Sequence, residues 1–263
     1  MLKRIYKRLI PERQRINNRL LFNKMTSVLY RGNRYACNVC GKRFRKFKSV
    51  LDMGVGGEEI KLGTRENVRC PFCGSFGRSR LLLFYLQKET NIFTQKNALL
   101  HFAPEFGLQS IFKKTRSLTY VNGDYNAANA DEQIDARSIP YPDQTFDYVI
   151  CSHVLEYIRD DFKAMKEIRR VLKPDGTAFI LSLIDWSNPH TCGTEPLKAA
   201  IKRFNLSSAY DSEWIYGADF ADRLRQNGFH VEEIDYRLAF DEQTQQKYSL
   251  GYREDAVIFR CTK

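Results

Sequence analysis

The sequence predicts a doubly wound α/β fold, and three observations lead to that class. The chain has 263 residues, of which 43% are hydrophobic, so it can bury a large core. Short apolar segments with strand composition lie near residues 97–102, 118–123, 145–151, 177–183, 229–237 and 255–261, with a shorter one near 133–135. Helical spacing of apolar residues lies between them, near 107–115, 160–172, 196–204 and 217–227. Alternation of this kind is typical of a parallel sheet with helices on both faces.

The positive charge of the chain is concentrated at its N-terminal end. Residues 1–48 contain 15 Lys and Arg against one acid, Glu12, whereas the remaining chain has 27 basic and 30 acidic residues. Residues 2–30 have helical spacing that is broken near Pro11. We therefore expect residues 1–48 to contact an anionic partner, either RNA or an anionic membrane surface; a solvated basic face with no partner is the alternative.

No apolar run approaches the roughly 18 residues that span a membrane, and the N-terminal residues lack the features of a secretory signal. The sequence thus predicts no transmembrane segment and a cytoplasmic protein, or one peripheral to the inner membrane. In that compartment thiols are expected to be reduced.

Two C-x-x-C pairs, in "CNVCGKRF" and "CPFCGSFG", supply Cys37, Cys40, Cys70 and Cys73. Four thiolates in this pattern predict a tetrahedral site for a structural zinc ion, with a hairpin filling the long interval between the pairs. Four unligated core cysteines, or a redox or iron site, are the alternatives. The other three cysteines are interpreted as ordinary core or surface residues: Cys151, Cys192 and Cys261.

These patterns divide the chain into four parts. We predict a basic helical arm over residues 1–34, a zinc ribbon over 35–77, a linking helix over 78–96 and the α/β domain over 97–263.

Acidic residues follow the first strands of the α/β part, where doubly wound sheets bind ligands. Asp124 ends the second strand and would accept hydrogen bonds from a ribose diol, and Asp135 would accept one from an adenine amino group. The first turn, in "LLHFAPEFG", lacks the G-x-G-x-x-G that a dinucleotide pyrophosphate requires. A nucleoside cofactor without phosphates avoids that requirement. S-adenosylmethionine is such a cofactor, and Glu105 in the turn would face its amino group.

The segment "YPDQTFDYVICSHVLEYIRDDFKAMKEIRRVLKPDGTAFI" resembles the central signature of class I S-adenosylmethionine-dependent methyltransferases, with Tyr157 and Asp175 departing from its usual His and Gly. "LHFAPE", a later "GDY" and "CPFCGSFGRSR" resemble a bacterial subgroup that has an N-terminal zinc ribbon and often accompanies surface-polysaccharide assembly. The subgroup's His and Arg are absent from "DSEWIYG" at residues 211–217, so its substrate does not carry over directly.

The resemblance implies a Rossmann-like methyltransferase sheet and a variant cofactor loop in which Ala103 and Glu105 replace glycines. The expected cofactor-binding residues lie at the strand ends: Phe102, Ala103, Pro104, Glu105, Asp124, Tyr125, Asp135, Ala136, Ser152 and His153.

Two residues are candidates for the base that removes a proton from the methyl acceptor. His153 would act as that base or only shape the pocket through hydrogen bonds, and Asp185 is the second candidate. Glu156 would contact the cofactor or cap the next helix, whereas His101 is interpreted as a core histidine. Residues 184–216 should form the acceptor side, where three aromatic residues would stack on a ligand or pack in the core: Trp186, Trp214 and Tyr216.

Three functions remain open at this level. The first is O-methylation of a saccharide or surface-glycan intermediate. The second is RNA methylation, with the basic arm and the zinc ribbon as an RNA clamp. The third is a non-catalytic binding module with the same fold.

Overall fold

The computed structural model of the protein describes residues 10–56, 59–195 and 212–263. Its helices are α1 (Glu12–Thr26), α2 (Gly77–Glu89), α3 (Phe106–Phe112), α4 (Asp161–Val171), α5 (Phe220–Gln226), α6 (Glu242–Tyr248) and α7 (Arg253–Ala256). Its strands are β1 (Arg31–Ala36), β2 (Arg43–Phe44), β3 (Lys48–Gly56), β4 (Glu59–Arg69), β5 (Asn97–Phe102), β6 (Leu118–Asp124), β7 (Glu132–Gln133), β8 (Phe146–Ser152), β9 (Leu172–Leu181), β10 (Ile184–Asp185), β11 (Cys192–Gly193), β12 (Trp214–Gly217), β13 (His230–Ile234) and β14 (Ile258–Thr262). Short 3₁₀ turns cover Ser27–Tyr30, Leu155–Tyr157 and Tyr236–Ala239.

Seven strands form the central sheet in the order β13-β14-β9-β8-β5-β6-β7. Within this sheet only β14 runs antiparallel, since it pairs antiparallel with both β9 and β13. The chain winds outwards from β5 in one direction through β6 and β7, and then returns to β8 on the other side of β5. The switch in strand order therefore lies between β5 and β8, where an open α/β sheet binds its ligand. The predicted α/β class is confirmed.

Successive residues of the central strands pack in two separate hydrophobic cores, because side chains alternate between the two faces of a sheet. Leu100 lies in a core with residues of α4 and α5. Leu99 lies in a second core, on the opposite face, which includes the apolar side of α2. The sheet is therefore covered on both faces.

The cysteine-rich segment shares the second of these cores. β1 pairs with β2, and β3 and β4 form the long hairpin that fills the interval between the two cysteine pairs. Phe44 and Phe47 are buried in the same cluster as Leu81 of α2. The segment is consequently packed into the α/β domain, and β1 begins at Arg31, inside the predicted arm.

Several predictions differ from the structure or lie outside its described part. Residues 2–9 of the predicted N-terminal helix, and the predicted helix near 196–204, fall outside the described residues. β9 begins at Leu172, before the expected residue 177, because Leu172 already pairs with Phe146 ahead of a register shift. The small sheet of order β10-β12-β11 was not predicted, since its strands have only two to four residues.

Candidate functional site

The four predicted cysteine ligands lie together. Their sulfur atoms are all within 4.8 Å of one another, and Sγ of Cys37 lies 3.7 Å from Sγ of Cys73. Sγ of Cys40 lies 3.8 Å from Sγ of Cys70. A tetrahedron with zinc–sulfur bonds of about 2.3 Å has sulfur–sulfur edges of about 3.8 Å. The thiol cluster has the size and donor set that Zn²⁺ requires.

The two cysteine pairs adopt the same turn. Gly41 and Gly74 have φ values of +71° and +77°, and their N–H groups donate to the carbonyls of Cys37 and Cys70 at 2.8 and 3.0 Å. Glycine adopts positive φ without steric cost because it has no Cβ, which explains why each pair is followed by one. Hydrogen bonds from the neighbouring thiols hold the pKa of the Cys37 thiol below its usual range, so one thiolate is already favoured in the cluster.

Arg80 connects this cluster to the C-terminal part of the α/β domain. Its side chain is fully buried and donates to the carbonyl oxygens of Val68 and Ser75 at 2.9 and 2.7 Å. It also donates to the carbonyls of Tyr248 and Ser249 at 2.6 and 2.7 Å. Burial lowers the pKa of Arg80, and the Cys37 thiolate raises it. The guanidinium therefore supplies a positive charge beside a group of thiolates.

A cavity of about 490 Å³ opens at the carboxyl ends of the central strands, at the switch point between β5 and β8. Its lining includes seven of the ten predicted cofactor-binding residues: Phe102, Ala103, Asp124, Tyr125, Asp135, Ala136 and His153. Ile134, Val154 and Ile158 add apolar surface to its walls. The cavity thus combines acidic groups at the strand ends with apolar walls.

Two residues of this cavity have a left-handed backbone conformation. Ala103 and His153 have φ values of +44° and +54° and follow the ends of β5 and β8. Such non-glycine residues are uncommon and cluster at functional sites. Their N–H groups donate across the sheet to the carbonyls of Gly123 and Leu181 at 2.9 and 2.8 Å, which holds both turns in place. Glu105, the other residue predicted to replace a glycine, has an ordinary φ of −66°.

The two acids predicted to bind the nucleoside lie on one wall of the cavity. Oδ1 of Asp124 accepts a hydrogen bond from the backbone of Asn126 at 2.7 Å, which fixes the carboxylate at the end of β6. Asp135 forms a paired contact with Arg137, with Oδ2 2.7 Å from a terminal guanidinium nitrogen. The Arg137 guanidinium lowers the pKa of Asp135, which favours the charged form of that carboxylate. Arg137 was not anticipated from the sequence.

Pro104 and Glu105 line a second cavity, of about 360 Å³, which shares Ala103 and Asp124 with the first. Its other walls come from the inner face of α1 and the second cysteine turn, and they carry three arginines: Arg19, Arg69 and Arg78. Nε of Arg78 lies 3.2 Å from Oε1 of Glu105, and Ser79 donates a hydrogen bond to the same carboxylate. Glu105 therefore ties the turn after β5 to the start of α2.

His153 and Glu156 form a close pair at the rim of the first cavity. Nδ1 of His153 lies 3.0 Å from Oε1 of Glu156, and Oε2 of the buried Glu156 accepts from the Ser182 hydroxyl at 2.8 Å. Nε2 of His153 lies 3.5 Å from the carbonyl oxygen of Asp255. The sequence left open whether Glu156 contacts the cofactor or caps a helix; its carboxylate contacts His153.

The remaining candidates lie elsewhere. Asp185 accepts from the backbone and the hydroxyl of Ser187 at 3.1 and 2.6 Å, and in the described part of the chain neither its side chain nor that of Ser152 lines the two cavities. Tyr216 is buried, with its hydroxyl on Asp161, so it packs in the core. Trp214 donates to the carbonyl of Ile158 at 2.9 Å.

His101 is confirmed as a core histidine, because it is buried and its Nδ1 lies 3.1 Å from the Tyr120 hydroxyl. Among the described residues, no helix has both the length and the apolar character needed to cross a membrane.

Comparisons with known proteins match part of the chain. Residues 114–180 match the family model described as a methyltransferase domain. A demethylmenaquinone methyltransferase of Lactobacillus johnsonii is 45% identical over 58 residues, which cover 22% of this chain and 24% of that protein. A demethylmenaquinone methyltransferase of Listeria welshimeri is 36% identical over 92 residues, or 35% of each chain. The chain thus spans about a quarter to a third of the length of these relatives.

A solved S-adenosylmethionine-dependent methyltransferase from Thermotoga maritima is 18% identical, with a TM-score of 0.42 over 69% of this chain and 88% of that one. The fold assignment depends on this chain's own strand order and not on that likeness. The matched segment, residues 114–180, is similar to a methyltransferase domain and contributes most of the residues that line the cavity at the switch point.

Proposed function

We propose that this chain transfers a methyl group from S-adenosylmethionine to a small acceptor molecule that loses a proton in the reaction. The observation that supports this most directly is the pairing of His153 with the buried Glu156 at the rim of the cavity. When bound, S-adenosylmethionine supplies a methyl group already activated on a sulfonium.

The cofactor would lie across the two adjoining cavities. Asp124 would accept hydrogen bonds from the ribose diol, and the apolar wall with Ile134 and Ala136 would hold the adenine. The methionine end would occupy the smaller cavity, where Arg19 and Arg69 supply positive charge for a carboxylate. Glu105 would add a negative charge toward the amino group, as the sequence predicts, while keeping its contact with Arg78.

The protein's own residues would position and deprotonate the acceptor. Glu156 orients the imidazole of His153, and a proton on Nδ1 facing the carboxylate leaves the Nε2 lone pair to accept one once an acceptor replaces the 3.5 Å contact with the Asp255 carbonyl oxygen. This arrangement favours His153 over Asp185 as the base, because the carboxylate of Asp185 is occupied by its own turn. Alignment of the nucleophile would account for most of the remaining rate enhancement.

We further propose that the zinc ion is structural and bound by Cys37, Cys40, Cys70 and Cys73. The cluster brings four protein sulfur atoms within 4.8 Å of one another, and a zinc ion with four protein ligands has no open position for catalysis. Its contribution would be to hold the second cysteine turn, which forms one wall of the smaller cavity.

For the acceptor, we propose a hydroxyl group of a saccharide or glycan intermediate, the class implied by the resemblance of the zinc-ribbon subgroup. A second candidate is a quinone-type acceptor, because the matched relatives from Lactobacillus johnsonii and Listeria welshimeri are demethylmenaquinone methyltransferases. A base at His153 serves either acceptor, since a hydroxyl and an activated ring carbon both lose a proton on methylation.

Calorimetry with S-adenosylmethionine tests the cofactor assignment. Asp124→Asn keeps the side chain's size but replaces one acceptor oxygen with a donor, and we expect binding to weaken by about 2 kcal/mol because charge-assisted bonds are lost. Asp143→Asn is the control, since this carboxylate is exposed and pairs with Arg170 away from the cavities. Unchanged affinity in the Asp124 variant would refute this cofactor pose.

Transfer of labelled methyl from S-adenosylmethionine to a panel of glycan, quinone and RNA acceptors tests the reaction. Label in a glycan hydroxyl supports the first acceptor, and label on a quinone ring carbon supports the second. Label in RNA would instead favour the RNA clamp. Binding of the cofactor without transfer to any member of the panel would favour the non-catalytic module.

A further inference from the structure

The outer face of α1 and of the 3₁₀ turn that follows it is apolar and exposed. Five large side chains there are between 52% and 70% exposed: Leu21, Phe22, Met25, Val28 and Leu29. Their spacing places them on one side of the helix, because residues three, four and seven apart are neighbours on a helical surface. We call these five residues the outer apolar face.

The opposite side of the same helix packs against the protein. Asn23 and Ser27 are buried, and the Asn23 side chain accepts a hydrogen bond from Lys48 at 2.7 Å. Ile16 and Leu20 line the smaller of the two cavities. Packing of α1 onto the domain therefore uses the inner face and gives no reason for apolar residues on the outer one.

The surroundings of the outer apolar face are strongly basic. Residues 10–48 contain 11 Lys and Arg and one acid, Glu12. Lys24 is exposed within α1, and Arg31 follows the 3₁₀ turn directly. The ammonium group of Lys46, which is exposed, lies 5.9 Å from the ring centre of Tyr30 at the end of that turn. An anionic surface would be attracted to this side of the molecule.

We propose that the outer apolar face inserts into the headgroup region of an anionic lipid bilayer, with α1 lying parallel to the membrane. A helix with one apolar side and a basic flank is suited to this location, because its side chains enter the acyl boundary while its cations bind lipid phosphates. Four of the five residues are aliphatic, which fits acyl chains, whereas single-stranded nucleic acid is bound by stacked aromatic rings.

This orientation would bring the cofactor side of the domain close to the membrane. The inner face of the inserted helix forms one wall of the smaller cavity. The smaller cavity adjoins the larger one, because Ala103 and Asp124 line both. A membrane-associated acceptor would then approach the carboxyl ends of β5 and β6 from the bilayer surface. The inference goes beyond the proposed methyl transfer and does not depend on it.

Flotation of the full-length protein with lipid vesicles tests the proposal. We expect binding to vesicles of phosphatidylcholine mixed with an equal amount of phosphatidylglycerol, and little binding to phosphatidylcholine alone. The double variant Phe22→Ser/Leu29→Ser should bind the anionic vesicles more weakly by a factor on the order of ten or more, because each buried apolar side chain adds favourable transfer free energy. Leu238→Ser is the matched control, since Leu238 is 80% exposed but lies outside α1.

Zinc content and thermal unfolding of each variant establish that the fold is intact. Three outcomes would overturn the proposal. The first is a full-length protein that does not bind anionic vesicles. The second is a double variant that binds them as well as the unchanged chain, which would leave charge alone as the attraction. The third is a double variant that changes the oligomeric state in solution without changing flotation, which would make a second copy of the chain the occupant. None of these outcomes bears on methyl transfer.

Discussion

Nδ1 of His153 lies 3.0 Å from Oε1 of Glu156, and this contact organises the end of β8 at the cavity. The chain turns sharply here, because His153 has a positive φ. The hydroxyl of Ser182 holds the other carboxylate oxygen of Glu156 from the end of β9. The imidazole orientation is therefore fixed by residues from two neighbouring strand ends.

If His153 is the base, its removal should slow chemistry far more than it weakens cofactor binding. We expect His153→Asn to lower kcat by roughly 10²-fold to 10⁴-fold. Glu156→Gln should also lower kcat, because the amide can donate to Nδ1 and leave the ring proton on Nε2, the atom that has to accept one. Steady-state kinetics and calorimetry with S-adenosylmethionine separate these effects.

His230→Asn is the control for this substitution, since His230 is an exposed histidine at the start of β13. It should retain full activity. The assignment of the base would be reversed if Asp185→Asn abolished activity while His153→Asn did not.

Loss of the proposed zinc ion should weaken cofactor binding as well as stability. Gly107 of α3 packs so closely on the cluster that a Cβ there would lie 3.6 Å from Sγ of Cys73 and 2.6 Å from Val39. Cys73 and Gly74 also line the smaller cavity. A Cys70→Ser variant should therefore contain less than one zinc per chain, unfold at a lower temperature and bind S-adenosylmethionine more weakly.

Metal analysis, thermal unfolding and calorimetry measure the three effects. Cys192→Ser should change none of them, because Cys192 is an exposed thiol outside the cluster. Full zinc loss in Cys70→Ser with unchanged cofactor affinity would show that the cluster and the cavity are independent.

The strands of the sheet could be predicted closely because their signal is local. β5 has the predicted bounds, 97–102, since its apolar run is flanked by turn residues on both sides. The acids at the strand ends were also foreseeable, because a parallel sheet brings its carboxyl ends to one edge.

Contacts between distant segments could not be predicted in the same way. Arg80 donates to the carbonyls of Tyr248 and Ser249, which lie 168 and 169 residues further along the chain. No spacing pattern records such a contact. The hydrogen bond from Ser187 to Asp185 could not be predicted either. A carboxylate that follows a strand can bind a ligand or close its own turn, and the sequence does not distinguish these two roles.

The strained backbone at Ala103 gives a stability prediction. A left-handed conformation costs a residue with a Cβ roughly 1–2 kcal/mol, and glycine avoids that cost but loses more entropy on folding. We expect Ala103→Gly to raise the unfolding free energy by up to about 1 kcal/mol. Ala103→Val should lower it, because a β-branched side chain tolerates positive φ poorly. Chemical denaturation of both variants provides the values.

Ala164→Gly is a control with the opposite expected effect, since Ala164 is buried within the helix α4. There glycine should lower the unfolding free energy by about 1 kcal/mol. Equal destabilisation by glycine at both positions would mean that Ala103 is not strained.

The buried His101 should make the protein less stable as the pH falls. Burial lowers the pKa of His101 to about 3, whereas an unfolded histidine has a pKa of about 6.5. Between these values the unfolded state binds one more proton than the native state, so acid favours unfolding. This residue alone should cost about 2 kcal/mol of unfolding free energy between pH 7 and pH 5.

His101→Gln isolates this contribution, because glutamine can still bond the Tyr120 hydroxyl but does not titrate. Its unfolding free energy, measured by denaturant titration at several pH values, should fall less steeply than that of the unchanged protein. The quantity compared is the slope of unfolding free energy against pH for the two proteins. Protonation of the cysteine cluster destabilises both proteins equally, and the substitution itself shifts the variant by a constant amount. Parallel curves for the two proteins would mean that His101 becomes protonated in the native state at ordinary pH, which its burial between Phe112 and Tyr120 opposes.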